Sequence, residues 1–407
     1  VNYQSILGLF VFVVFVFLFS RNKKKVSIKF ILIGILSQFL LALLFLKVPL
    51  VSDLMFGLNQ FVGALQNATD RAAQFMLGFL AGGPAPFEIT QPQNSFLVAF
   101  RVLPLILVIS ALSALLFHFG ILTFIVNLFG LLLKRFFGLS GPLGFAASAT
   151  VFFGTIESPL IVRPYLNKMT RAELLALLTC SMATIAGTVM VLYASVLEKV
   201  LPNALTHLLA ASIISVPAAL TLAHVFLPID RTDLKVDFQA DKSELTWIEV
   251  LLNSVQDGMK MVVSIVAIII VMFAFIYLID GILLQINPAL TLNSIIGQIL
   301  RPVMWLVGFD WDKSKVASEL MGSKIVLNEF VSYLKLSENN PFNPKETLMM
   351  VYALCGFANL ASCGIIIAGL TAILPQRRKE IVELTFISLF LGNITTLMTA
   401  CVIGLIS

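Results

Sequence analysis

Residues 139–166 read LSGPLGFAASATVFFGTIESPLIVRPYL. The stretch is too apolar for an ordinary loop. Its glycines, its prolines and one glutamate, Glu157, also break it too often for a clean membrane span. Irregular backbone at membrane depth is tolerated only where protein buries it or a cavity wets it, so the natural reading is a re-entrant hairpin. Gly154, Ser158 and Pro159 make a tip possible, the apolar sequence on either side forms the two arms, and Glu157 faces a cavity rather than lipid.

The rest of the chain supports a membrane setting. Of 407 residues, 59% are hydrophobic and 12% are charged, against about 25% charged in soluble domains. The net charge of +5 comes from short basic loops between apolar runs, not from a basic face suited to nucleic acid. Cys180, Cys355, Cys363 and Cys401 lie inside apolar segments without metal-ligand spacing and read as small core residues. The basic cluster Arg21 to Lys25 follows the first apolar run rather than preceding it, so that run reads as a true span and not a cleaved leader.

About eight spans are expected, near 4–20, 28–50, 95–119, 171–197, 204–227, 259–286, 346–373 and 382–406. Residues 53–80 carry Leu54, Leu58, Phe61, Leu65, Ala72 and Phe75 at helical spacing between polar positions, which predicts an amphipathic helix in the interface. A second broken region, 293–336, predicts a second re-entrant hairpin. The expected fold is all-α: about eight transmembrane helices, the interfacial helix and two hairpins in an inverted repeat. It divides into N-terminal scaffold (1–138), first hairpin with its following spans (139–227), a cytoplasmic loop and amphipathic segment (228–258), a scaffold span (259–292) and second hairpin with its following spans (293–407). Basic residues at 21–25, 134–135, 163–171 and 377–379 are expected to be cytoplasmic, as is the loop 228–245, which leaves both termini outside.

The two halves share a pattern. The first broken region ends in GTIESPLIVRPY and the next span contains CSMATIAGTVM; the second ends in VLNEFVSYL and the next span contains CGFANLASCGI. Each half therefore offers one glutamate, Glu157 or Glu329, followed by a helix interrupted by small and polar residues around Thr184 or Asn359. Paired interrupted segments in corresponding places point to a transporter's midplane site. A carboxylate at that depth costs at least a few kcal/mol and persists when it is paired, hydrated or used. A structural ion pair for either glutamate, and a helix-to-helix hydrogen bond for Asn359, are the plainer readings that the pairing of halves weighs against.

Other polar residues carry less. His118, His207 and His224 are scattered and read as interfacial or packing residues. Arg101 and Lys260 sit at span edges and can snorkel, and Asp280 and Glu319 read as helix-end residues. Asn67–Thr69 matches a glycosylation sequon, but on an amphipathic face. No P-loop, HExxH or paired intramembrane aspartate suggests an enzyme.

At GxxESPLIVRPYL, ATIAG, LNEFVSY and CGFANLAS the chain resembles the concentrative nucleoside transporter family, with order and spacing retained over nearly its whole length. The resemblance implies a homotrimer in the bacterial cytoplasmic membrane, surrounded by lipid. Each protomer would import nucleosides by an elevator-like shift driven by sodium or protons. It implies that Thr155, Ile156, Glu157 and Val189 hold the base, and that Glu329, Asn359 and Ser362 hold the ribose. A carboxylate and an amide can accept from and donate to ribose hydroxyls. It also implies a cation site at Thr150, Phe153, Thr184 and Ile185, with sodium as the possible metal and no further cofactor.

Two departures qualify the resemblance. The family's usual GQTE is GTIE here, so Thr155 replaces a glutamine and Ile156 a threonine; ribose recognition is expected to be retained and base selectivity altered. Thr150 stands where the family has an asparagine among its sodium ligands, so proton coupling through Glu157 or Glu329 is a rival to sodium, a buried carboxyl being able to titrate near neutrality. A gate-like protein or passive pore on the same hairpins is the alternative to a symporter.

Overall fold

The computed structural model describes residues 3–88, 97–155, 158–159, 162–229, 245–288 and 290–407. Among them every regular element is helical. Ile156 and Glu157 lie outside the described residues, as does 230–244 of the predicted cytoplasmic loop.

The N-terminal part is two apolar helices, α1 (Tyr3–Leu18) and α2 (Ile28–Lys47), then α3 (Pro49–Leu77). The first is 16 residues, shorter than the expected 4–20. Helix α3 is the expected amphipathic element, here starting at Pro49, with proline at its first position where no N–H is needed. The Asn67–Thr69 sequon lies inside it, with the Thr69 hydroxyl bonded back to Leu65 O at 2.8 Å, so it is helical backbone and no surface loop.

Short α4 (Val98–Arg101) and α5 (Pro104–His118) form the next span. Then comes a helix outside the expected spans, α6 (Ile121–Phe137). Gly120 and Gly138 bracket it in left-handed conformation, with φ of 78° and 66°. It packs on α7 (Gly141–Ala149), the first hairpin arm, where Gly130 and Gly144 meet. A Cβ on Gly144 would stand 3.1 Å from Gly130 O, so the two backbones touch only because both lack side chains. The hairpin returns through Ser158, Pro159 and α8 (Arg163–Leu166).

The expected span 171–197 is two helices, α9 (Arg171–Ala183) and α10 (Gly187–Leu197), interrupted at Thr184–Ala186. A capping box of Thr170 and Glu173 starts α9. Helix α11 (Ala204–Phe226) is almost wholly buried between α9 and α2. The expected scaffold span at 259 begins earlier: α12 runs unbroken over Trp247–Ile286, 40 residues, opened by a Thr246–Glu249 capping box. Lys260 is therefore inside a helix, paired with Asp257 at 2.8 Å.

The second half repeats the first. The region expected to be one hairpin holds three helices: α13 (Leu292–Val307), α14 (Trp311–Val326) and α15 (Glu329–Glu338). Helix α13 is bent 117° from α14; by its position before the arm it corresponds to α6, and α14 and α15, which pack on each other, correspond to the hairpin arms. The expected span 346–373 is again two helices, α16 (Pro344–Leu354) and α17 (Leu360–Ile373), and α18 (Arg378–Ile406) closes the chain. Among the described residues six helices are long and apolar enough to cross a membrane, and the bent pair would make a seventh. The core lies in α9–α11 and α16–α18, which pack on one another, whereas α12 contacts α5 and has one buried residue, Gly258.

Candidate functional site

The two broken helices meet at their breaks. Phe357 N donates to Thr184 O at 3.2 Å, joining the gap at 355–359 to the gap at 184–186. Glycine makes the approach possible. A Cβ on Gly356 would lie 2.9 Å from the Thr396 methyl and 3.0 Å from Met182 O. Beside the crossing, Asn393 Nδ2 donates to Ala358 O at 3.0 Å and so occupies one of the carbonyls the break leaves open.

Glu329 begins α15 at the tip of the second hairpin. Asn328 caps that helix, its side chain accepting from Val331 N at 3.0 Å. The Glu329 side chain is buried, and both of its oxygens are engaged: Tyr193 OH donates to Oε1 at 2.6 Å and Asn359 Nδ2 donates to Oε2 at 2.9 Å. Asn359 is itself the N-cap of α17, its Oδ1 accepting from Ser362 N at 2.8 Å. One asparagine thus starts the second half of a broken helix and holds the hairpin carboxylate. Glu329, Asn359 and Ser362, paired from sequence, stand together.

Tyr193 was not anticipated. It lies four residues after Val189 on α10, hence on the same helix face, and that spacing was the signal available. It carries the face that includes buried Val189 across to the second hairpin, where its ring stacks on Phe330 at 5.8 Å. Thr155 is half-buried at the first hairpin's turn. Ile156 and Glu157 cannot be placed among the described residues, but the flank is formed: Ser158 N and Oγ both donate to Gly154 O, at 3.2 and 3.1 Å.

The four residues expected at the cation site gather around the first break. Thr184 Oγ1 lies 2.9 Å from Thr150 O and 3.0 Å from Cys180 O, and Gly187 N donates to Phe152 O at 3.0 Å. Ile185 N donates to Ser212 Oγ at 3.4 Å, and Phe153 packs edge-on to Phe117. One detail differs from expectation. Thr150 offers its backbone carbonyl to Thr184, while its side-chain Oγ1 donates back to Ala147 O at 2.7 Å. A short β-branched hydroxyl reaches its own preceding turn more readily than a neighbour. The result is a cluster of neutral oxygens at a helix C-terminus, a setting that suits a cation by charge and ligand type.

Of the remaining candidates, His224 and Asp280 behave as packing and end residues, whereas Glu319, expected at a helix end, lies midway along α14 (Trp311–Val326). His224 stacks on Phe30 at 4.2 Å, and Asp280 Oδ1 accepts from Leu292 N at 2.7 Å where α12 passes to α13. All four cysteines are free and buried.

Comparison with known proteins covers nearly the whole chain. Residues 7–80 match the N-terminal part of the Na+ dependent nucleoside transporter family, 207–404 its C-terminal part, and 99–200 a nucleoside recognition (gate) domain. The nucleoside permease NupC of Helicobacter pylori is 30% identical over 98% of this chain and 97% of its own. An uncharacterized transporter of Haemophilus influenzae is 31% identical over 99% and 97%, and human solute carrier family 28 member 3 is 32% identical over 98% of this chain and 59% of its own. The structure of CNTnw in an inward-facing substrate-bound state superposes with a TM-score of 0.90 at 28% identity over 99% of this chain and 97% of that one. A double variant of CNTnw in an outward-facing state gives the same TM-score at 29% identity, over 99% and 97%.

Proposed function

From the premise that the chain belongs to the Na+ dependent nucleoside transporter family, we propose that it is a cation-coupled symporter importing nucleosides across the cytoplasmic membrane. The observation that carries the reading is Glu329, a buried carboxylate held by Tyr193 and Asn359 where a hairpin tip meets two broken helices. An ionised carboxylate has about four acceptor positions. Tyr193 and Asn359 take two and the Glu329 backbone N–H a third, which leaves one for a ribose hydroxyl. Asn359 keeps one amide hydrogen and Ser362 its hydroxyl for the same sugar.

Thr155, Ile156, Glu157 and Val189 face the base in this reading. Ile156 brings an apolar side chain where a hydroxyl is usual in the family, so base preference shifts while ribose recognition stays. Sodium is the coupling ion we favour, held by Thr184 Oγ1 and the carbonyls of Thr150, Phe153 and Ile185. One observation favours the proton instead: the Thr150 hydroxyl is turned back to Ala147 O, which removes a side-chain ligand from the sodium set. In that second reading Glu157 or Glu329 carries the proton.

The hairpins and broken helices move together as the transport unit in an elevator-like shift, against a scaffold that includes α12. That helix is exposed along nearly its whole length, with Val263, Ile270 and Phe275 among its exposed apolar residues, and it is the surface on which a homotrimer would form. Both termini face outward in this arrangement.

Sodium titration of uridine binding tests the cation assignment. Sodium should strengthen binding to the wild type, and Thr184→Ala should remove that dependence while leaving weak binding. Equal sodium dependence in both proteins would transfer coupling to the carboxylates.

A further inference from the structure

Lys324 is fully buried in the last turn of α14, one turn before the hairpin tip. Its ammonium donates to Ala353 O at 3.0 Å and to Thr396 Oγ1 at 2.9 Å. Both partners are neutral oxygens. Ala353 is in the last turn of α16, where the break at 355–359 leaves carbonyls without helical partners. The Thr396 hydroxyl donates onward to Asn393 O at 3.1 Å, so it is free to accept from the lysine. Glu329 follows five residues on, across the tip at Leu327–Asn328.

The first half has the same construction without the lysine. There the end of hairpin arm α7 meets the C-terminal end of α9 through Thr150 O, Thr184 Oγ1 and Cys180 O, and no basic side chain takes part in those bonds. In each half a hairpin arm thus docks on the carbonyl end of a broken helix through oxygens. In the second half a tethered cation already occupies that junction.

We propose that Lys324 is a built-in cation: its ammonium takes, in the second half, the place that the exchangeable coupling cation takes in the first. This rests on the cation reading given above for Thr150 and Thr184. Two consequences follow. The second half needs no free ion, so the protein has one exchangeable cation site per protomer. The charge also fixes α14 to α16 and α18 and keeps the Glu329 carboxylate in position, which makes Lys324 a positioning residue for nucleoside binding. A lysine there for volume alone would be replaceable by an apolar side chain of similar length, since well-packed apolar replacements of buried charges are often tolerated.

The test compares uridine binding to purified wild type, Lys324→Met, Lys324→Ala and Lys324→Arg in detergent, where no gradient enters. Monodispersity and thermal unfolding are measured in parallel. Lys324→Met should weaken uridine binding at least tenfold although it keeps the volume, and Lys324→Arg should retain more than Lys324→Met. In Lys324→Ala, methylammonium should restore part of the binding, with no effect on the wild type. Wild-type affinity in Lys324→Met overturns the proposal, as does failure of methylammonium to act on a folded Lys324→Ala. Should the variants not fold, the wild type decides: cation dependence of uridine binding with a Hill coefficient of about one is expected, and a coefficient near two overturns the proposal. Failure of the first-half reading looks different, because Thr184→Ala would then leave cation dependence unchanged whatever the lysine variants do.

Discussion

Tyr193 and Asn359 hold Glu329 from opposite sides, each through one hydrogen bond to one carboxylate oxygen. Removing one donor leaves part of a buried charge without a partner. Hydrogen bonds to charged groups contribute about 1.5–3 kcal/mol, so Tyr193→Phe should raise the KM for uridine uptake about tenfold or more. An unchanged KM would remove Tyr193 from the site. At the other end of the substrate, Ile156→Thr should shift the order in which nucleosides with different bases compete with uridine, while 2′- and 3′-deoxy analogues are rejected as by the wild type. An ordinary uridine preference that Ile156→Thr leaves unaltered would contradict altered base reading. Glu329 and Asn359 were legible in sequence because polar groups in apolar runs stand out, and Ser362 through the family resemblance; Glu157 was singled out in the same way but lies outside the described residues. Tyr193 was not legible, because a tyrosine in an apolar helix reads as packing until the partner of its hydroxyl is seen. Lys324 does not stand out in sequence, being one of several charges within the broken region 293–336.

The breaks in α9–α10 and α16–α17 organise the elements around glycines. A Cβ on Gly187 would stand 3.1 Å from Phe152 O, the carbonyl that Gly187 N itself bonds. Gly187→Ala should push the first hairpin away from the break and raise the cation concentration needed for half-maximal uptake, with helix content by circular dichroism unchanged. A wild-type cation dependence would show that the contact is incidental. Arg377 does comparable duty at the other end of the fold. It donates to Leu166 O and Met169 O, both at 2.9 Å, and pairs through two bonds with Glu380. Arg377→Ala leaves those carbonyls and the carboxylate without it, and should destabilise by about 1–3 kcal/mol, seen as a lower thermal midpoint. The breaks could be anticipated from Gly187, Gly356 and the small residues beside them. The crossing of the breaks could not, since it depends on Gly356 and Gly392 fitting against Met182 from another part of the chain. Helix α6 escaped because its 17 residues mix an apolar run with Lys134 and Arg135, which read as a basic loop after a span; the glycines that bracket it mark its ends only when their left-handed backbone is known.

At the scale of the molecule, the buried set α9–α11 and α16–α18 contrasts with α12, which has one buried residue and turns an apolar face with Val263, Ile270 and Phe275 away from its own chain. Lipid can cover an apolar helix, but so can a second copy. The trimer reading predicts a three-chain mass by native mass spectrometry, and Ile270→Glu on α12 should shift that mass toward one chain. A single-chain mass for the wild type would assign the face to lipid. The membrane class and the number of halves were plain from composition and from the repeated glutamate pattern. Which helix stays outside the core was not, because α12 and α11 are similarly apolar in sequence and differ in what packs on them.

The claim on which the rest depends is that binding at Glu329 is coupled to a cation and performs work. The most direct measurement is uptake of labelled uridine into proteoliposomes, with sodium and proton gradients imposed separately. Accumulation above the external concentration is expected when the sodium gradient is directed inward, and is lost in Glu329→Gln. Accumulation with the proton gradient alone would move the coupling to a carboxylate. Equilibration without accumulation under either gradient would contradict the account and make the protein a passive path.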